Sequence, residues 1–341
     1  MRMLARCLLL VCLATSLIAT AALAKEAKEF VISVETVMDH PRNQGLLIFM
    51  KNLEQKSKGQ LKPKLYHSAQ LYKDTDILKA LGLGTVDMGL PGIWFLDKID
   101  PNAALTALPM FYAQPSAVTE KLVDGKFGQM VNQSLENKMK VKIPGAWYEL
   151  GYVALHTTKK KITDLEDLKG LRIRYFGSKA NAERLRAMGA SPVPIPWPDM
   201  AVALMRGTCD GLITSFKPLH SAKLVEAGIT YSVKDREYLM HYIPICSQKF
   251  WKSLTPDLQK VFVEVWNEHI PKQRELARKM QMEGEKDVEE LLKKKGGMIY
   301  RPSDEKLAKW RKQIMPIQDG LVRDLKIDPK LVKTAMDMLG M

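Results

Sequence analysis

Apolar positions in the first part of the chain alternate between a period of two and a period of three to four. Phe30, Ile32 and Val34 alternate with other residues, as in a half-buried strand. The helical period that follows stops at Gly59. The predicted elements are a strand at 29–35, a helix at 43–58, a strand at 61–66, a helix at 74–83 and a strand at 86–90. This order favours an α/β domain with a largely parallel sheet.

The same alternation restarts after residue 151. Strands are predicted at 152–156, 171–175, 191–194 and 210–214, with helices at 178–188, 200–205 and 218–227. These elements predict a second α/β unit, so the fold class is α/β with two domains.

A long helix follows an apolar strand predicted at 240–247. Thr255 is a suitable N-cap with Pro256 in the first turn, and Gly296 ends the helix. At roughly 40 residues such a helix spans about 60 Å, longer than one small domain. Pro271 lies inside it, and a kink is expected there. We therefore predict a kinked helix that contacts both domains.

The N-terminus has the pattern of a secretory signal peptide. Arg2 and Arg6 precede an apolar run, and Ala22-Leu23-Ala24 is a small-x-small cleavage site. The alternative is a single membrane anchor, but the run is slightly short and is interrupted by hydroxyl residues. We predict a signal peptide at 1–24 and a periplasmic mature protein.

Charge adds a basic bias to this picture. The chain of 341 residues has a formal net charge of +14, which favours anionic partners such as nucleic acid, a membrane surface or an acidic solute. The basic residues are dispersed, and no nucleic-acid-binding motif is visible. We therefore expect an acidic solute and no nucleic acid.

Two cysteines, Cys209 and Cys246, remain after the predicted cleavage. Two thiols do not make a disulfide framework, so buried free thiols are expected, with a single bridge as the alternative.

Motifs of catalysis are absent from the sequence. Gly82-x-Gly84 lacks the third glycine of a dinucleotide loop, and the six histidines have no metal-ligand spacing. We expect no catalysis, no cofactor and no metal. Catalytic groups can also converge from distant positions, so an extracytoplasmic enzyme acting on a carboxylated substrate stays as an alternative.

Three segments in order carry a resemblance. They are DLKGLRIR at 167–174, GASPVPIP at 189–196 and ALMRGTCDG at 203–211. In this pattern the chain resembles the DctP-type solute-binding subunits of tripartite ATP-independent periplasmic (TRAP) transporters. Further matches are HSAQL at 67–71, LGLGTVDM at 81–88 and LTPDLQKV at 254–261, so the resemblance covers essentially the whole mature chain.

The resemblance implies a two-domain clamp in which Arg174 pairs with a ligand carboxylate. Alternation places Arg172 and Arg174 on the same side of the strand, so it does not separate them. Arg174 is nearer the carboxyl end, where open α/β sheets bind ligands, and a guanidinium matches a carboxylate in two parallel hydrogen bonds. The alternative is an arginine paired within its own domain. The resemblance also places Trp197 against the ligand and Thr214 where many members have an asparagine.

Departures from the family bear on the substrate. Val153 and Ala154 stand where many dicarboxylate-binding and sialic-acid-binding members have another arginine, and Thr214-Ser215-Phe216 lacks the acid of metal-assisted members. A monocarboxylate is therefore expected. Further aromatic residues could line its pocket: Trp94, Phe95, Trp147 and Tyr148.

We therefore predict a receptor that delivers a small organic acid anion to the membrane subunits of a TRAP transporter. The expected first domain is 26–150 plus 240–278, and the second is 151–239 plus 279–341 with C-terminal helices. We expect a monomer. A receptor coupled to a sensor protein remains an alternative to uptake.

Overall fold

The computed structural model describes residues 27–341, so the predicted signal peptide lies outside the described residues. Within them the strands are β1 (Lys28–Ser33), β2 (Leu61–Tyr66), β3 (Met88–Gly89), β4 (Val141–Lys142), β5 (Tyr148–Tyr152), β6 (Ala154–Thr157), β7 (Arg172–Tyr175), β8 (Ser191–Pro194), β9 (Gly211–Thr214), β10 (Tyr231–Val233), β11 (Leu239–Tyr242), β12 (Ile245–Ser247) and β13 (Met298–Tyr300). The α-helices are α1 (Pro41–Lys56), α2 (Ile77–Leu83), α3 (Ser116–Asp124), α4 (Lys126–Met139), α5 (Lys179–Ala187), α6 (Met200–Met205), α7 (Phe216–Ser221), α8 (Gln248–Ser253), α9 (Pro256–Lys294), α10 (Asp304–Ile314), α11 (Gln318–Leu325) and α12 (Pro329–Leu339).

The first sheet has the strand order β2-β1-β3-β12-β4. β1 pairs in parallel with β2 and β3, whereas β12 runs antiparallel to both of its neighbours. Phe30 and Ile32 of β1 are buried together with Leu46 and Phe49 of α1. The predicted period of two in β1 and of three to four in α1 therefore forms one core.

The second sheet has the order β13-β10-β6-β9-β7-β8. Its strands β7, β8 and β9 are parallel, and β6 is antiparallel to β9 and β10. In each sheet the reversed strand, β12 or β6, follows a crossing, that is, a segment in which the chain passes from one α/β unit to the other. The α/β class with two sheets is confirmed, and each largely parallel sheet takes one reversed strand at the crossing.

The two crossings lie side by side. β5 and β11 form a separate antiparallel pair with a register shift between Met240 and His241. Gly151 in β5 has φ +121°, and a Cβ added there would come 2.8 Å from the side chain of Gln281 on α9. The backbone therefore passes close to α9 in a conformation that favours glycine.

The long helix α9 has 39 residues and contacts both α/β units. Phe262, Val265 and Trp266 are buried in the core of the first unit, and Val288 and Leu292 in a cluster of the second. Thr255 accepts a hydrogen bond from the backbone N–H of Leu258, as expected of an N-cap. The prediction of one long helix contacting both domains is confirmed.

The C-terminal helices contact segments of both predicted domains. α10 packs on the turn Pro109–Phe111, α12 packs on α3, and α11 packs on α5. The domain limits themselves stay a prediction.

Cys209 and Cys246 are buried free thiols, as expected. Among residues 27–341, no helix combines the length and apolar character needed to cross a membrane.

Candidate functional site

A small cavity lies between the two units, where several parallel strands end. The space that the centre of a water-sized sphere can reach in this cavity is about 30 Å³. The lining residues come from both sheets and from the crossing strands: Glu35, Thr36, His40, Asp74, Trp94, Phe95, Leu150, Arg174, Phe176, Trp197, Thr214, Pro218, Met240 and Tyr242. Ligands of open α/β sheets bind at such carboxyl ends.

Arg174 is the fully buried cation of this cavity. It is 0% exposed, and its Nε donates to the carbonyl of Ile195 at 2.9 Å. Its Nη1 and Nη2 atoms have no hydrogen-bond partner. Burial lowers the pKa of Arg174 to about 10, so the guanidinium stays charged at neutral pH. The site therefore presents two unused donors of one charged group.

Arg172 is held differently. Its Nε and Nη2 donate to the two carboxylate oxygens of Asp210, at 3.0 and 2.8 Å. Its side chain is 46% exposed. The intradomain ion pair that was the alternative for Arg174 is therefore formed by Arg172 instead, and the Nη atoms of Arg174 have no partner.

Trp197, Thr214 and Trp94, which the sequence analysis proposes as ligand-binding residues, all line the cavity. The Arg174 guanidinium carbon is 5.5 Å from the centre of the Trp197 ring. Thr214 ends β9 and is 4% exposed. The indole N–H of Trp94 is buried without a partner. Gly92 leaves space for the Trp94 ring, because a Cβ at position 92 would come 2.1 Å from a ring atom.

Tyr148 does not line the cavity, contrary to the prediction. Its ring stacks on Trp266 of α9, with centroids 4.6 Å apart. Trp147 is likewise in the core, where its indole donates to Asn132. Trp147 precedes β5 and Tyr148 is its first residue, whereas Leu150 further along the strand reaches the cavity.

The wall opposite Arg174 carries carboxylates that the sequence analysis missed. Glu35 follows β1, and Asp74 precedes α2 and is 5% exposed. Asp74 Oδ2 accepts the backbone N–H of Trp197 at 3.0 Å, which crosses the cleft. A usable signal was present, because Glu35 ends the strand predicted at 29–35 and polar residues at carboxyl ends face ligands.

Other contacts also join the walls. Lys73 pairs with Asp199 at 2.9 Å, and Lys217 pairs with Asp39 at 2.6 Å. The described structure is therefore a closed cleft, whose two walls are joined by these contacts.

His40 is a buried neutral group at this cavity. Its Nδ1 accepts the backbone N–H of Arg42 at 3.1 Å, which caps α1. Burial is the main cause that lowers the pKa of His40 well below its ordinary value, with Arg42 and Lys217 adding to it. His40 therefore supplies no positive charge at neutral pH.

No group of three or more His, Cys, Asp or Glu side chains within residues 27–341 is arranged to hold a metal ion.

Comparison with known proteins identifies the family. Residues 32–324 match the family described as bacterial extracellular solute-binding protein, family 7, or DctP. The 2,3-diketo-L-gulonate-binding periplasmic protein YiaO of Escherichia coli K12 is 28% identical over 258 residues, 75% of this chain and 76% of that protein.

Solved structures agree in fold. A TRAP periplasmic solute-binding protein of Sulfurospirillum deleyianum with bound succinate has a TM-score of 0.85 at 22% identity, covering 91% of this chain and 99% of that chain. A TRAP periplasmic solute-binding protein of Ralstonia eutropha with bound (S)-2-acetolactate has a TM-score of 0.82 at 23% identity, covering 92% and 98%. The chain therefore belongs to the DctP family, family 7 of the bacterial extracellular solute-binding proteins.

Proposed function

We propose that this protein captures a compact monocarboxylate in the periplasm and delivers it to the membrane subunits of a TRAP transporter. The observation that carries the proposal is Arg174, a buried guanidinium whose two Nη atoms have no partner. A carboxylate of the ligand would accept from both, because the fork of arginine matches two carboxylate oxygens.

Neighbouring groups would hold the rest of the ligand. The Trp197 ring and the unpartnered indole N–H of Trp94 lie on the same cavity. Thr214 would hydrogen-bond through its hydroxyl. The cavity is small, which favours a compact acid.

Known ligands of similar proteins support the chemical class. The names of the three compared proteins give diketogulonate, succinate and acetolactate, and each of these molecules has a carboxylate. They differ in the number of carboxylates, so the preference for one carboxylate rests on Arg174 being the unpaired cation among the cavity-lining residues.

The test is mass spectrometry of small molecules released by denaturing the protein after purification from the periplasm. We expect a short monocarboxylic acid, enriched relative to an Arg174→Ala preparation made in parallel. Release of a dicarboxylate or of an uncharged solute, at equal levels from both preparations, would contradict the proposal.

Export is part of the same proposal. We expect N-terminal sequencing of the mature protein to begin at or near Lys25, after the Ala22-Leu23-Ala24 site. Recovery of the exported protein with Met1 intact would contradict it.

A further inference from the structure

The cavity wall that faces Arg174 is acidic. Glu35 and Asp74 both line it, and Asp74 is 5% exposed. The oxygens of Asp74 accept backbone N–H groups of Trp197 at 3.0 Å and of Thr75 at 3.2 Å. Each carboxylate oxygen has a second lone pair, so Asp74 retains acceptor capacity toward the cavity.

The nearby Arg42 pairs with Glu35 and offsets part of the charge of that carboxylate, so Asp74 carries most of the negative charge of this wall, and Arg42 has no donor left for a ligand. Its Nη1 donates to the carbonyl of Leu90 at 2.8 Å, and its Nη2 donates to Glu35 at 2.9 Å and to Thr36 at 2.7 Å. Its Nε donates to Asn43 at 3.4 Å. All its nitrogens are thus engaged in holding the first wall, in contrast to Arg174.

The other basic groups near the cavity are also committed. Lys217 donates to Asp39, Lys73 pairs with Asp199, and His40 accepts a backbone N–H through Nδ1. Among the described residues that line the cavity, Arg174 is thus the cation with free donors. It faces two carboxylates.

From this arrangement we infer that Glu35 and Asp74 are specificity-determining residues, which accept a ligand hydroxyl and repel a second ligand carboxylate. The inference rests on the proposed function, in which Arg174 binds the first carboxylate. A second carboxylate would lie against like charges in a space with little water, where such a juxtaposition is strongly unfavourable. A hydroxyl would instead donate to a carboxylate oxygen.

The electrostatics of Asp74 agree with a crowded anionic wall. Burial raises the pKa of Asp74 to about 6, and Glu35 is the next cause, while Arg174 acts in the opposite direction. Lys73 and Asp76 are further charged groups close to Asp74 in the chain, and both Asp74 and Asp76 act on Lys73. A further anion beside Asp74 would add to the repulsion that Glu35 already exerts.

Four acids of equal chain length test the inference: butyrate, 2-hydroxybutyrate, succinate and malate. They vary the hydroxyl and the second carboxylate independently. We expect calorimetry at pH 7.5 to show that wild type binds 2-hydroxybutyrate about 100-fold more tightly than malate, since several kcal/mol of like-charge repulsion corresponds to about two decades in affinity. Butyrate should bind more weakly than 2-hydroxybutyrate, and succinate more weakly than butyrate.

Asp74→Asn is nearly isosteric and keeps an acceptor for the Trp197 N–H. It should narrow the gap between 2-hydroxybutyrate and malate by about tenfold or more, and Glu35→Gln should act in the same direction. Asp76→Asn is the matched control, because Asp76 is exposed and lies outside the cavity. Thermal unfolding of each variant checks that it is folded.

The outcomes separate the two proposals. If wild type binds malate as tightly as 2-hydroxybutyrate, or if Asp74→Asn and Glu35→Gln leave the gap unchanged, the inference is wrong while carboxylate binding at Arg174 stands. If folded Arg174→Ala binds the acids like wild type, or if no acid binds wild type at millimolar concentration, the proposed function fails and the inference with it.

Discussion

Replacing Arg174 by alanine should remove most of the affinity for the ligand. The guanidinium is 0% exposed, and its two Nη atoms are the unpaired donors that a carboxylate would fill. Two hydrogen bonds to a charged group contribute about 1.5–3 kcal/mol each, hence about 3–6 kcal/mol together. Breaking a buried charge pair from one side costs a similar amount, about 3–5 kcal/mol.

These energies correspond to a loss of roughly two to three decades or more in affinity. Arg174→Lys should also bind poorly, because an ammonium group lacks the planar fork and would leave the carbonyl of Ile195 without the donor it now has. The assay is calorimetry with 2-hydroxybutyrate, after thermal unfolding has shown each variant to be folded.

Arg172→Ala is the matched control from the same strand. Arg172 is half-exposed and already paired with Asp210, and exposed pairs contribute about 0–1 kcal/mol. Its loss should therefore change the affinity less than about tenfold. Near-wild-type binding by folded Arg174→Ala, or an equal loss in both variants, would refute the assignment of the carboxylate to Arg174.

Three further predictions concern Asp74, a salt bridge across the cleft and the two buried thiols. Asp74 has a pKa of about 6 in the closed form, against about 3.9 for an exposed carboxyl group. Because the pKa is raised in the closed form, protonation of Asp74 at low pH favours closure, and this stabilisation is lost as the pH rises through 6. Calorimetric affinity for 2-hydroxybutyrate should thus rise about tenfold from pH 7 to pH 5, and Asp74→Asn should flatten the profile. Lys73→Ala removes a half-exposed pair with Asp199 and should weaken binding less than about fivefold, whereas a larger loss would show that this pair controls closure. Cys209 and Cys246 are buried and unbonded, so a thiol reagent should count two reactive groups in the mature protein only after unfolding, and a reductant should leave the Tm unchanged.

Sequence patterns predicted those elements whose period is set by one buried face. The strand at 61–66 was predicted with the bounds that the structure has, and the long helix differs only at its ends. The turns of 3₁₀-helix between residues 93 and 111 went unpredicted. Their residues are nearly all buried, for example Leu105 and Met110, so no contrast between apolar and polar positions marks them.

The residues of the site also divide into those that the sequence could predict and those that it could not. Arg174 was predictable because it stands at the carboxyl end of a strand and within a family motif. Which of the two arginines is paired within its own domain depends on Asp210, which is distant from Arg172 in the sequence and adjacent to it in the structure. Tyr148 was placed at the cavity because it lies near loops that could line a pocket, yet stacking on Trp266 holds it in the core. Such competition between distant partners leaves no mark on the local sequence.

The buried donors of Arg174 also explain how capture and closure can be coupled. In the closed cleft the guanidinium is buried and its Nη atoms have no protein acceptor, so closure without a ligand carries a desolvation cost that the nearby carboxylates of Asp74 and Glu35 offset only in part. Under the proposed function, a bound carboxylate would supply the missing acceptor and would make the closed form favourable. A ligand shifts a conformational equilibrium only by its differential affinity for the two forms, and the unpaired guanidinium provides that difference. The contacts that join the walls through exposed pairs, such as Lys73 with Asp199, are too weak to close the cleft alone, so the closed form can mark the loaded receptor.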